Sequence, residues 1–282
     1  MSGDVGEAAE VTIIITTKDE ELHVARCIES VRPLGRVVVV DGGSRDRTIA
    51  IARAGGAEVV ERPWRGYADQ KNWALAETGI TTPWVMFMDA DEYLSPAGRD
   101  EILGAIRDGA AAGYRLPRAQ IFLGRRLDHA WWYPDYQLRL FRAGRGRFED
   151  RRVHEHVVVD GPESTLREPI LHENLKGLAA MIDRHNRYSD LEVAELFDPA
   201  TVRRPGSFTG SWMDRRRALK DRVWFRVPGR PLVRFLWLYV VKRGFLDGRQ
   251  GRLYCTMIAM YDAMIDAKLQ ERKLRGQRRP DD

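Results

Sequence analysis

Between Val11 and Met88 four short apolar runs alternate with segments of helical spacing, and that alternation limits the fold more than any other feature of the chain. Val11–Thr16 reads Val-Thr-Ile-Ile-Ile-Thr, apolar at odd and even positions alike. Such a run predicts a strand covered on both faces. Leu22, Ala25, Cys27 and Ile28 give the next segment, Glu20–Val31, a helical repeat that Pro33 ends. Arg36–Val40 predicts a second buried strand, which runs into the turn Asp41-Gly-Gly-Ser-Arg-Asp46. Ser44 or Asp46 suits the cap of a helix that stops at Gly55-Gly56. Ala57–Glu61 is a third strand, Tyr67–Glu77 a helix, and Trp84–Met88 a fourth strand. Strands separated by helices require crossover connections, so the expected fold class is α/β, Rossmann-like, with a mostly parallel central sheet.

Beyond the segment Pro96–Asp108 the pattern loosens. Gly113–Ala119, Gln137–Arg142 and Val157–Val159 read as strands, with an aromatic loop from Arg125 to Asp135 between the first two. Leu178–Glu195 reads as a helix, and Arg203-Arg-Pro-Gly marks a boundary. Charge changes there. From Arg203 onward 20 basic residues face 8 acidic ones, a net of +12, which leaves 26 basic against 33 acidic, a net of −7, in residues 1–202. We therefore expect an α/β domain over 1–202 followed by a basic, amphipathic helical region over 203–282.

In an open α/β sheet, ligands collect at the carboxyl ends of the strands. Here those ends carry Thr16-Thr-Lys-Asp-Glu20, Asp41-Gly-Gly-Ser-Arg-Asp46 and Asp89-Ala-Asp91-Glu92. Any one of them is ordinary turn and cap chemistry, but three in succession point to a site. Asp89 and Asp91 are the sharpest pair, because at a turning strand end both carboxylates can reach one hard cation. Mg²⁺ and Mn²⁺ prefer oxygen ligands and keep waters and phosphates in their shell. So few protein ligands suggest that a diphosphate completes the set.

The ordered motifs Ile15–Glu20, Val40–Thr48, Gln70-Lys-Asn72 and Met88–Glu92 resemble those of the inverting family 2 glycosyltransferases, which have the GT-A fold. The resemblance covers about residues 10–200. It implies that Thr16, Asp19, Glu20, Asp41 and Ser44 hold the nucleotide of a sugar donor, that Lys71 lies near the donor, and that Asp89 and Asp91 bind the diphosphate and the metal. Asp46 shares the turn and fits the helix cap. The family usually has Asn where this chain has Asp19. Trp131–Arg142, Val153-His-Glu155, Ile170-Leu-His172 and Gly244–Gly248 resemble the subgroup that adds glucose to the lipopolysaccharide inner core. That subgroup lacks the Glu-Asp pair that supplies the base in many relatives. A single displacement at the anomeric carbon still needs a group to take the acceptor proton. Glu155 is the first choice and Asp135 the second. His172 fits the late histidine that contacts the metal in many GT-A enzymes, and Arg139 is placed to face the diphosphate.

The remaining expectations concern partners and place. Two cysteines without metal-ligand spacing fit a reducing compartment. Met1–Glu10 is acidic and lacks the apolar core of a secretory signal, and no stretch reaches the roughly 18 apolar residues of a spanning helix. Pro231–Phe245 mixes apolar and aromatic residues with Arg234, Lys242 and Arg243, while Leu253, Met257, Met260, Tyr261 and Met264 recur at helical spacing. An amphipathic, Arg-rich region suits an anionic membrane surface. Nucleic acid is not expected, since no RNP, zinc-finger or homeodomain signature accompanies the positive charge. The resemblance implies a nucleotide-sugar donor (UDP-glucose favoured), a glycolipid or lipopolysaccharide-core acceptor and Mg²⁺ or Mn²⁺ as cofactor, and the composition adds the expectation of a cytoplasmic protein peripheral to the inner face of the membrane.

Overall fold

The buried runs form the parallel half of a larger sheet. The computed structural model describes residues 10–149, 157–197, 224 and 227–276. It divides into two compact units, one of residues 1–121 and 133–175, the other of residues 122–132 and 176–282. The helix at 177–196 thus belongs with the C-terminal helices, although it lies before the charge boundary at Arg203.

In the first unit, strands Val11–Thr17 (β1), Gly35–Asp41 (β2), Glu58–Glu61 (β3) and Trp84–Asp89 (β4) run parallel, in the order β3-β2-β1-β4. Helices Val24–Val31 (α1), Thr48–Ala54 (α2) and Tyr67–Glu77 (α3) make the crossovers, and Glu92–Leu94 (β5) and Pro96–Asp108 (α4) follow. The sheet then continues through Gly113–Phe122 (β6) and Asp135–Arg142 (β8). β8 lies between β4 and β6 and is antiparallel to both. Its first residues therefore sit at the edge where β4 ends. Ile170–Glu173 (β12) is parallel to β6 and antiparallel to β5. Glu163–Thr165 (β11) also pairs parallel with β6, and Gly146–Phe148 (β9) with Val157–Val159 (β10) forms a small antiparallel ladder.

Because strand side chains alternate, the continuous run in β1 feeds two cores. Val11, Ile13 and Ile15 pack with Val37, Val39, Met86 and Met88 on one face. Ile14 packs with Val38, Val40, Val85 and Phe87 on the other. The parallel α/β core stands as expected. The helix expected from Glu20 begins at Val24, because Glu20 opens a turn in which its carbonyl accepts from His23 and Val24. β5, β9, β11 and β12 are three or four residues long, too short to show a period in sequence.

In the second unit, Arg125–Leu127 (β7) and the aromatic loop join three helices, Gly177–Leu196 (α5), Arg230–Leu236 (α6) and Gly248–Leu274 (α7). A π turn, Trp237–Val241, extends α6, and a 3₁₀ turn, Gly244–Asp247, leads into α7. Leu127, Ala130, Leu238, Tyr254 and Cys255 are buried together. Arg230 pairs with Asp266 at 2.6 Å and Arg234 with Asp262 at 2.9 Å, tying α6 to α7. Asp247 accepts from three successive backbone N–H groups, of Asp128 (3.2 Å), His129 (3.0 Å) and Ala130 (2.7 Å). A Cβ on Gly251 would lie 2.2 Å from the carbonyl oxygen of Gly244, so only glycine permits this approach. Among the described residues, no helix is long and apolar enough to cross a membrane.

Candidate active site

Two side-chain networks occupy the carboxyl edge of the sheet in the first unit. The first braces the loops after β1 and β2. Asp41 is buried, and its carboxylate accepts from Thr17 Oγ1 (2.9 Å), Gly43 N (2.9 Å), Ser44 N (2.7 Å) and Ser44 Oγ (2.5 Å). Ser44 Oγ in turn accepts from Asp19 N at 2.8 Å, and Asp19 Oδ1 accepts from Arg45 N at 2.8 Å. Asp19 has φ of 55°, in the left-handed region. Asn and Asp are the residues that enter this region most readily after glycine, so Asp19 suits the turn it occupies. Asp46 accepts from Thr48 N and from Glu21 N and so joins the brace, but neither it nor Ser44 is the cap expected of the next helix: α2 starts at Thr48 with Arg47 at its N-cap, one residue further on. Glu20 Oε2 accepts from His23 Nδ1 at 2.7 Å, while His23 Nε2 accepts from Leu175 N at 2.8 Å. That second bond assigns the ring proton to Nδ1.

The second network holds the charges. Asp89 ends β4. Its Oδ2 accepts from Arg139 of β8 at 2.9 Å, and Lys71 of α3 lies 3.7 Å from its Oδ1. Arg139 donates at once to Glu92 Oε1 at 2.7 Å, and Glu92 Oε2 accepts from Asp89 N at 3.0 Å. Burial opposes ionisation of Asp89, but the charges of Arg139, Lys71 and Arg118 outweigh it and hold its carboxyl well below the usual range. For Glu92 burial wins: its carboxyl is pushed up, with Arg139 pulling down and Asp89 adding to the rise. Lys71 and Arg139 are both buried, which two cations tolerate only with carboxylates beside them.

Asp91 faces His172, on β12, with 3.1 Å between Oδ2 and Nε2. Burial would raise the Asp91 carboxyl, yet the His172 charge and hydrogen bond bring it down to about 2. Gln120 sets the ring. It stands opposite His172 in the β6–β12 register and donates through Nε2 to Ile121 O (2.9 Å) and His172 O (3.3 Å). Its Oε1 is thereby left for His172 Nδ1 at 2.8 Å, so Nδ1 carries a proton and Nε2 is the nitrogen turned to Asp91. A second-strand partner of this kind is what orients a ligating histidine.

Of the sequence-predicted residues, Asp89, Asp91, Lys71, Arg139 and His172 are thus drawn together, and Asp41, Ser44, Asp19 and Glu20 form the adjoining brace. Thr16 stands in register with Asp89 on β4 and Val40 on β2. Asp135 opens β8 on the same edge and accepts from Arg118 (3.2 Å) and Gln137 (3.1 Å). Glu155 lies outside the described residues. Sequence reasoning included Glu92 in the strand-end cluster without giving it a role, and passed over Arg118 and Gln120. Glu92 was visible as an acid directly after the Asp pair; Gln120 is identified only by pairing that places it across from His172. Among the described residues, no group of three or more His, Cys, Asp or Glu side chains is arranged to enclose a metal ion.

The family model described as Glycosyl transferase family 2 matches residues 12–157. The chain belongs to that family. The matched span runs from β1 to the start of β10 and includes every motif from Thr16 to Glu155. An uncharacterized glycosyltransferase of Rickettsia conorii is 46% identical over 280 residues, covering 95% of this chain and 92% of that protein. The lipopolysaccharide core biosynthesis glycosyltransferase LpsC of Rhizobium meliloti is 28% identical over 272 residues, covering 93% of this chain and 92% of that protein. A solved glucosyl-3-phosphoglycerate synthase from Mycobacterium tuberculosis, in complex with Mn²⁺, UDP-glucose and phosphoglyceric acid, overlaps 42% of this chain and 45% of that chain, with 24% identity and a TM-score of 0.34. The family match and the Rickettsia relative make the protein a glycosyltransferase of family 2.

Proposed function

We propose that this glycosyltransferase moves glucose with inversion from UDP-glucose to a lipopolysaccharide-core or other lipid-linked acceptor, with Mg²⁺ or Mn²⁺ as cofactor. The observation that carries the reading is the charge arrangement at one sheet edge: Asp91 against His172, and Asp89 between Lys71 and Arg139. The donor set fits the metal in part. Asp91 and His172 Nε2 would hold it, an oxygen and a borderline nitrogen ligand of the kind Mn²⁺ accepts. Asp89 already has a cation on each carboxylate oxygen, so the donor diphosphate is left to complete the coordination. When bound, the metal supplies charge stabilisation for the leaving nucleoside diphosphate.

The chain's own residues do the rest. Lys71, beside Asp89, brings positive charge to the same end of the sheet. The brace around Asp41 holds the β1 and β2 loops rigid where a nucleotide would lie. Glu155 takes the acceptor proton in this reading, with Asp135 as the alternative. Similarity to LpsC along nearly the whole chain supports a lipopolysaccharide-core acceptor.

The test is release of UDP from UDP-glucose with a lipopolysaccharide-core acceptor, with Mn²⁺ or with a chelator. Release should require both acceptor and metal, and Asp91→Ala should lower turnover by about a hundredfold or more. Glu155→Gln should lower turnover far more than donor affinity. Full turnover by Asp91→Ala, or in chelator, would overturn the metal reading, and an unaffected Glu155→Gln would move the base to Asp135.

A further inference from the structure

We propose that the helical unit docks on an anionic phospholipid bilayer through one face of the segment 232–252. The first observation is a strip of exposed apolar side chains. The pairs Leu232–Val233, Leu236–Trp237 and Val240–Val241 recur every four residues, and Phe245 follows. At 3.6 residues per turn a four-residue repeat drifts off the face of an α-helix. Here α6 passes directly into a π turn, with Lys242 N donating to Trp237 O at 2.8 Å. The wider turn offsets the drift, and the third pair remains 54% and 58% exposed. Leu238 in the same turn is fully buried among Tyr254 and Cys255. The segment is therefore packed in place, with its apolar strip facing outward.

Charge identifies the partner. Residues 228–261 contain six basic residues and a single acid. That acid, Asp247, is buried and occupied by three backbone N–H groups. Arg230 and Arg234 are paired with Asp266 and Asp262, while Arg243, Arg249 and Arg252 are exposed. Within this segment the surface around the strip carries positive charge with no exposed carboxylate. An anionic bilayer accepts both features together: apolar side chains enter the acyl boundary, guanidinium groups stay with the phosphates, and an indole such as Trp237 suits the interface. A groove of about 780 Å³ lies within the same segment, lined by Tyr239, Phe245, Arg249, Arg252, Leu253 and Thr256. Its rings and two arginines match a single phospholipid, with the chain against the rings and the phosphate at the guanidinium groups.

The test uses the full-length protein and co-sedimentation with phosphatidylcholine vesicles, with and without phosphatidylglycerol. Binding should appear with phosphatidylglycerol, fall as salt is raised, and be weak on phosphatidylcholine alone. Replacing Val240 and Val241 together with Glu should lower the partition coefficient at least about tenfold, because apolar burial is lost and negative charge is added. Both positions are exposed, so the thermal midpoint should not move. Arg249→Glu with Arg252→Glu should weaken binding only where phosphatidylglycerol is present. Unchanged binding by the valine variant would overturn the assignment. So would a concentration-dependent dimer, seen by sedimentation without vesicles, that the valine variant abolishes while vesicle binding persists; the strip would then be an interface between copies. No donor or acceptor enters the measurement, so its outcome is independent of the sugar transferred.

Discussion

Arg139 enters the acidic edge from β8 and reaches two carboxylates at once. Glu92 beneath it is inaccessible to solvent, and Asp89 beside it is partly open. Removing the guanidinium would leave the buried Glu92 without its ion-pair partner, a change that costs about 3 kcal/mol or more. Arg139→Ala should therefore lower the unfolding free energy by about that amount, read from urea denaturation. Arg139→Lys should recover part of it, since one ammonium cannot match the planar fork at both acids. If Arg139→Ala is as stable as the parent, the ion cluster contributes little and Arg139 serves the donor alone. The motif positions of Asp89 and Asp91 were legible because each follows an apolar run at a strand end. Glu92, one residue on, shares their chemistry in sequence yet has a different environment: burial raises its carboxyl while Asp91 sits at about 2. No periodicity separates the two, because the difference arises from β12 and β8 lying alongside.

Among the elements, β1, β2 and β4 were legible because both faces of each are covered, which leaves an unbroken apolar run, whereas β3 is the edge strand, with Glu58 and Glu61 exposed. β8 was legible as a strand but its place was not. Insertion between β4 and β6, antiparallel to both, is what carries Arg139 and Asp135 to the carboxyl edge. Three-residue strands such as β5 owe their existence to partners distant in sequence, and β5 holds Glu92 through pairing with β12. Gly244–Gly248 resembled a subgroup motif with no stated task. In the structure its Asp247 gathers the N–H groups of residues 128–130, so its task is anchoring the aromatic loop within the helical unit. Asp247→Ala should strand three donors and destabilise that unit by about 3 kcal/mol, seen as a lowered thermal midpoint. An unchanged midpoint would mean that water replaces the carboxylate without loss.

Across the chain, the charge split of −7 and +12 has a structural counterpart on either side of Arg203. The acidic part gathers carboxylates at a sheet edge and pairs several of them with buried cations. The basic part presents an apolar strip amid arginines. The two cysteines, Cys27 and Cys255, are free and buried. Burial pushes the Cys27 thiol well above its ordinary value, helped by Glu92, Asp91 and Asp89, and it pushes Cys255 up to about 11. Both thiols stay protonated below that range, and the thiolate is the reactive form. At pH ~8 a disulfide reagent should thus label neither thiol in the native protein and both after unfolding. Rapid labelling of either in the native state would contradict the packing described around it.

In the proposed function the carboxyl edge holds a nucleoside diphosphate together with a divalent cation, through Asp91 and His172. Calorimetric titration of UDP into the protein, with Mn²⁺ and with a chelator, tests it most directly. The parent should bind UDP in Mn²⁺ at least about tenfold more tightly than in chelator, a difference that Asp91→Ala removes without lowering the thermal midpoint. Equal affinity in Mn²⁺ and chelator, or an Asp91→Ala variant that keeps the parent's Mn²⁺-dependent binding, would contradict it.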